Sequence, residues 1–238
     1  MSFFHRLSKK NIELNTQLCV GLDFVNAYET TIKTIRNKVS SIKIQSAFFE
    51  VAGQQNEIKR VVDLAHKNDL EVILDYKRCD IGSTVQAYID LAFKDFNADA
   101  ITIVPYMGLG VLELLKPWID KGKGVYVVWA SSNEDAHELQ KFVLKPVLDL
   151  VENYDVGLVL GATKVNDLEE SLFKQASKHP FLLPGFGAQG AVIQENLFQT
   201  LKSMKSNLFP VSRAIFDNDS SVMEQNIEKW ADYFKVRS

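Results

Sequence analysis

Short apolar runs recur about every 25 to 30 residues along this chain of 238, and longer amphipathic segments carrying most of the charge separate them. Eight such runs are present: QLCVGLDF (17–24), SSIKIQ (40–45), EVILDYK (71–77), AITIVP (100–105), GVYVVWA (124–130), VGLVLG (156–161), FLLPGFG (181–187) and LFPVSR (208–213). Their length and their content of branched and aromatic residues suit buried strands. The stretches between them, such as NEIKRVVDLAHKN (56–68) and STVQAYIDLAFKDF (83–96), repeat apolar residues at spacings of three and four, the pattern of a helix with one buried face. Eight strand-then-helix units in one chain predict an α/β fold, a single (β/α)8 TIM barrel, over an open doubly wound sheet. No Gly-x-Gly-x-x-Gly follows the first run, which weakens a dinucleotide-binding alternative. With no linker or low-complexity segment, residues 1–238 are expected to form one domain.

Charge narrows the class of ligand. The net charge of -3 and a pI near 5.9 leave no electrostatic footprint for nucleic acid or an anionic membrane, so an anionic ligand has to be captured locally. No apolar run approaches the roughly 18 residues that span a bilayer, and the start, MSFFHRLSKKNIELN, does not read as a secretory signal. Cys19 and Cys79 are too few for a disulfide framework or a structural zinc site, and a reducing cytoplasm is the expected location.

The polar residues inside the apolar runs carry the chemistry. Side chains alternate along a strand, so in EVILDYK Asp75 and Lys77 share one face while Val72, Leu74 and Tyr76 share the other. In SSIKIQ, Ile42 and Ile44 face the helices and Lys43 points inward. Burying such charges costs several kcal/mol unless they are paired. Asp23 ends the first run, Asp80 follows the third, Ser131, Ser132 and Asn133 follow the fifth, and Arg213 ends the eighth. In a parallel barrel these positions converge on the carboxyl-terminal mouth, where carboxylates and amines at close range hold one another ionised.

A second signal concerns phosphate. PGFGAQG (184–190) follows the seventh run and VSRAI (211–215) closes the eighth, the two loops where barrels often bind phosphate. Gly185, Gly187 and Gly190 let main-chain amides approach an anion, with Gln189 and Arg213 adding side-chain donors. Other features are expected to be structural. His5, His66, His137 and His179 lie away from strand ends, Trp118, Trp129 and Trp230 read as packing residues, and Cys79, although beside Arg78, has no nearby histidine and reads as a space-filler. No residues show metal-ligand spacing, although Asp75 and Asp80 together could hold a magnesium ion.

The ordered set LCVGLD (18–23), FFE (48–50), LDYKRCDIGSTVQAY (74–88), PYMG (105–108), SSN (131–133), GLVLGAT (157–163), PGFGAQG and VSRAI resembles the orotidine 5'-monophosphate (OMP) decarboxylase family over nearly the whole chain. That resemblance implies a homodimeric barrel converting OMP to UMP and carbon dioxide, with no metal and no organic cofactor. It implies that Lys43, Asp75 and Lys77 form a charged network completed by Asp80 of the other subunit, with Lys77 as proton donor. Ile81 and Thr84 would also reach across the interface. Asp23 would contact the ribose and Ser132 the pyrimidine, while Pro184, Gln189, Gly190, Ser212 and Arg213 would bind the rest of the nucleotide, Gln189 and Arg213 at the phosphate. The sequence departs from the family pattern at Phe24, Cys79, Ala130, Ser131 and Glu134, which touches loop shape and base recognition but no charged position.

Overall fold

All eight runs become strands of one parallel sheet. They are β1 (Leu18–Leu22), β2 (Ser41–Gln45), β3 (Glu71–Arg78), β4 (Ala100–Ile103), β5 (Gly124–Ala130), β6 (Gly157–Leu160), β7 (Phe181–Leu182) and β8 (Phe209–Val211). The structure is a computed structural model that describes residues 1–23, 28–108, 110–187, 189–216 and 219–236. Phe24, one of the departures noted above, and Ala188 of the glycine loop therefore lie outside the described residues, and the side chains of Glu134 and His137 are not described.

Neighbouring strands pair in the order β7-β6-β5-β4-β3-β2-β1-β8. A parallel bridge between Leu182 and Leu208 then joins β7 to β8 and closes the barrel. β7 is shorter than the apolar run FLLPGFG suggests. Pro184 has no amide hydrogen to offer a ladder, and Gly185 turns the chain with φ of 128°.

Strand alternation sorts the core into two layers. Ile42, Ile44, Val72, Leu74, Tyr76, Ile101 and Ile103 face outward into the large cluster shared with the helices. The helix Glu57–Lys67 contributes Ile58, Val61, Val62 and Ala65 to that layer, one apolar stripe at helical spacing. Inward-facing Cys19, Ile73, Ala100, Tyr126, Val128, Val159 and Leu182 form a smaller cluster inside the barrel.

That inner cluster is completed from below by Phe3, Phe4 and Leu7 of the helix Phe3–Glu13. The apolar patch near the start of the chain is thus a plug for the amino-terminal end of the barrel. Gly124 makes room for it, since a Cβ there would lie 2.4 Å from Phe3 Cδ1. Arg6 fastens the helix with a two-pronged pair, Nε to Glu71 Oε1 at 3.2 Å and Nη2 to Oε2 at 3.1 Å, and Nη1 donates to the Gly122 carbonyl at 3.0 Å.

Next to this plug, His66 Nε2 lies 2.8 Å from Asp99 Oδ2, which also accepts the Val72 amide at 2.9 Å. The hydrogen bond to Asp99 raises the His66 pKa above its ordinary 6.5, against the opposing effect of partial burial and Lys123. A raised folded-state value means that this contact stabilises most below about pH 6.5 and fades as the pH climbs through the folded value. Urea titrations of His66→Ala across that window should show a flatter dependence of stability on pH than the parent; parallel curves would refute the pairing.

Candidate active site

The charged residues meet at the carboxyl-terminal mouth of the barrel, in a cavity of about 490 Å³, within the usual range for small-molecule sites. Its base is Val128, Val159 and Leu182, which also belong to the barrel interior, so the polar groups above them stand on an apolar floor. Asp23, Lys43, Asp75, Lys77, Ser132, Pro184, Gln189, Ser212 and Arg213 all line it, as the sequence leads one to expect. Asp80, Ile81, Thr84 and Gly190 do not.

Asp75 is the hub. It is 7% exposed, and its Oδ2 accepts Lys43 Nζ at 2.7 Å while its Oδ1 accepts Lys77 Nζ at 2.5 Å and Thr102 Oγ1 at 2.8 Å. Gln45, with its amide turned so that nitrogen faces these acceptors, donates to Asp75 Oδ2 at 3.1 Å and to the Asp75 carbonyl at 3.0 Å. Burial by itself would push the Asp75 carboxyl up, but Lys43 and Lys77 together outweigh it and hold the group well below the usual carboxylate range. The complementary balance acts on Lys43, where desolvation lowers the pKa and Asp75, helped by Asp23, raises it further. With both oxygens occupied by ammonium, hydroxyl and amide donors, Asp75 is poorly placed to share a magnesium ion with Asp80.

Lys77 has an unusual backbone. Its φ is 44°, a left-handed conformation that costs a residue with a Cβ on the order of 1 to 2 kcal/mol. The cause lies in the pairing of β3 with β4, where Leu74 aligns with Ile101 but Arg78 aligns with Ile103, so β3 carries two extra residues over that interval. The bulge lets Lys77 lean over the cavity beside Asp75 while Arg78 returns to the outer face. There the Arg78 guanidinium pairs with Glu50 and sits 4.2 Å from the Tyr76 ring centroid and 4.6 Å from that of Tyr88.

The opposite wall is built by the two glycine-containing loops. Gln189 Nε2 donates to Ser132 Oγ at 3.1 Å, spanning the mouth. A Cβ at Gly185 would lie 3.0 Å from Gln189 Oε1, a tight contact that glycine avoids at a position whose φ of 128° already favours it. Ser212 Oγ is buried with no hydrogen-bond partner among the described residues, an open polar group in the cavity wall. Lys43, Lys77 and Arg213 set three cations against the two carboxylates Asp23 and Asp75 among the lining residues, a balance that favours an anion.

Four neighbours of this site escaped the sequence analysis. Gln45 and Thr102 lie on inward faces of β2 and β4, where the same parity that exposes Lys43 would have revealed them. Tyr106, whose hydroxyl donates to the Trp129 carbonyl at 3.3 Å, sits in the PYMG segment directly after β4. Gln140 carries no local signal; it accepts the Ser131 amide at 3.0 Å and donates to Ser131 Oγ at 3.0 Å from the short helix His137–Gln140. The remaining expected packing residues lie elsewhere: Trp129 is fully buried, with its indole N–H on the Leu144 carbonyl at 2.9 Å, and His179 Nδ1 lies 3.0 Å from the Val156 carbonyl.

Asp80 turns back on its own chain, its Oδ1 accepting the Ile81 amide at 2.7 Å at the start of the helix Gly82–Asp90. Ile81 is 62% exposed. Apolar side chains at Phe48, Val51 and Met107 are also exposed, so the segments after the consecutive strands β2, β3 and β4 all present apolar surface beside the mouth.

Comparison with known proteins agrees with this geometry. The family model described as "Orotidine 5'-phosphate decarboxylase / HUMPS family" matches residues 16–226. An orotidine 5'-phosphate decarboxylase of Clostridium tetani is 30% identical, with 92% of this chain and 89% of that protein covered. One from Halorubrum lacusprofundi is 34% identical over 80% of this chain and 76% of its own length. Among solved structures, OMP decarboxylase of Leishmania donovani superposes with a TM-score of 0.78 at 27% identity, covering 98% of this chain and 97% of that one. The Methanocaldococcus jannaschii enzyme complexed with inhibitor BMP has the same fold, with a TM-score of 0.75 at 20% identity over 92% and 98% of the two chains.

Proposed function

This chain belongs to the orotidine 5'-phosphate decarboxylase / HUMPS family, and on that premise we propose that it is a carboxy-lyase converting OMP to UMP and carbon dioxide. The observation that carries this reading is the Lys43–Asp75–Lys77 chain of ion pairs standing in one cavity with the two loops suited to phosphate. A sugar-phosphate decarboxylase with magnesium, the nearest rival, would account for DYKRCD and for a phosphate contact but not for the joint presence of Ser132, PGFGAQG and VSRAI around that same cavity.

The chemistry follows from where the electrons go. Breaking the bond between carbon six of the pyrimidine and its carboxylate releases carbon dioxide and leaves the electron pair in the ring plane, where the π system does not delocalise it. An ammonium group beside that carbon stabilises the developing charge and then supplies the proton that completes UMP. Lys77 is the group placed for this, with Asp75 holding its Nζ and Lys43 balancing the carboxylate. Asp23 serves the ribose and Ser132 the pyrimidine. Pro184, Gln189, Ser212 and Arg213 serve the remainder of the nucleotide, and Gly190, outside the cavity lining, contributes only through the loop it shares with Gln189. No metal or organic cofactor enters this scheme.

We place the complete site in a homodimer. Asp80, Ile81 and Thr84 do not line their own cavity, and Ile81, Phe48, Val51 and Met107 are exposed on the segments after β2, β3 and β4; a second copy would cover that surface and receive Asp80 in its charged network. Residues 1–238 act as one catalytic domain in this reading. Among the described residues no helix is long and apolar enough to cross a membrane; with two unpaired cysteines and no basic surface stretch, a cytoplasmic enzyme of small-molecule metabolism that binds no nucleic acid is the simplest assignment.

Loss of OMP absorbance, followed with and without EDTA, tests the reaction. Turnover that ignores EDTA supports it, while OMP left intact, or activity that vanishes with EDTA and returns with magnesium, overturns it. Arg213→Ala should lower kcat/KM for OMP by roughly 100-fold or more, as expected for a charge-assisted phosphate contact that is also used to organise the site. Orotidine without its phosphate should lose far less, and equal losses on both substrates would contradict the role.

A further inference from the structure

We infer that Thr102 is a positioning residue for Lys77, standing in for the backbone ladder that the β3 bulge interrupts. Thr102 is fully buried on the inward face of β4, between outward-facing Ile101 and Ile103. The bulge separates the pairs Leu74↔Ile101 and Arg78↔Ile103, and Tyr76 and Lys77 fall in the interval, where neither has a register partner on β4. The Thr102 hydroxyl oxygen accepts both of them, each at 3.0 Å. Its single hydrogen goes to Asp75 Oδ1 at 2.8 Å. A hydroxyl has one donor and two acceptor positions, and all are engaged here.

Lys77 is consequently held at two points by one side chain. Thr102 binds its amide directly, which fixes a backbone with φ of 44°. It also orients Oδ1 of Asp75, the atom that receives Lys77 Nζ at 2.5 Å. A left-handed lysine persists only where its surroundings over-determine it, and this hydroxyl supplies that determination. Thr102 itself does not line the cavity, so its influence on chemistry runs through Lys77 and Asp75.

The kinetic part of this inference rests on the decarboxylase reading, whereas the structural part does not. Thr102→Val keeps the shape but removes the hydroxyl, and Thr102→Ser keeps the hydroxyl. Expected for Thr102→Val is a loss of kcat on OMP of tenfold or more with KM within threefold, together with loss of hydrogen-exchange protection at the Tyr76 and Lys77 amides. Thr102→Ser should restore kcat to within threefold of the parent and restore protection. Retained kcat in Thr102→Val, or a serine variant as impaired as the valine one, would overturn the inference. If the parent protein itself leaves OMP unchanged, the decarboxylase reading fails instead. The amide exchange of the two variants then decides for Thr102, with unchanged protection in Thr102→Val ruling the role out.

Discussion

Lys77→Ala is expected to lower kcat/KM for OMP by roughly four to seven orders of magnitude while leaving a folded protein. The size follows from two losses that multiply. Proton delivery by a positioned side chain contributes about 100- to 10,000-fold, and one preorganised group aimed at developing charge contributes about 100- to 1,000-fold. Both functions reside on one Nζ, which lies 2.5 Å from Asp75 Oδ1 above the apolar floor formed by Val128, Val159 and Leu182. The fold should survive because the Lys77 side chain is 43% exposed and because Asp75 keeps Lys43 when Lys77 is removed. A purified, folded Lys77→Ala protein with kcat/KM within tenfold of the parent would remove the basis of the proposed mechanism. Product binding provides the control, since UMP should still bind through Gln189, Ser212 and Arg213.

Asp75→Asn is expected to cost about 3 to 5 kcal/mol of stability at neutral pH, because removing one partner of a buried ion pair strands the other. The stranded group is Lys43, only 8% exposed, whose largest single influence is desolvation opposing its charge. The pH dependence has a definite sign. The Asp75 carboxyl is held below its ordinary value of 3.8 by Lys43 and Lys77 in spite of its burial. Its ionised form therefore stabilises the protein fully above that value, and the contribution is lost as the pH falls through the lower folded-state value. Urea denaturation from pH 7 downward should show a steeper acid decline in the parent than in Asp75→Asn. Equal stability of the two at neutral pH would mean that Asp75 does not compensate Lys43. Turnover should fall as well, since Asp75 is what aims Lys77.

Much of the site was legible in the sequence because strand alternation is a local property. Parity alone put Lys43 and Asp75 inside the barrel and Ile42, Ile44, Val72 and Leu74 outside, and the two layers of the core are arranged that way. Position at strand ends grouped Asp23, Ser132 and Arg213 with them. The same rule applied to SSIKIQ and AITIVP would have reached Gln45 and Thr102, which were passed over because an amide and a hydroxyl attract less notice than a charge. Gln140 had no comparable signal. It reaches Ser131 from a separate short helix, and nothing in HELQ distinguishes it from an ordinary surface residue.

The strand and helix pattern and the inward charges are written into periodicities of two and of three to four residues, and the two phosphate-suited loops into their glycines and their place after the seventh and eighth runs, all of which a local segment carries with it. The bulge that bends Lys77 to a positive φ and the apolar plug of Phe3, Phe4 and Leu7 arose only when distant segments came into register. Thr102 meets Asp75 across 27 residues of sequence, and Arg6 meets Glu71 across 65. Such contacts depend on which strand lies beside which and by how many residues they slip, and local side-chain spacing does not encode that relation.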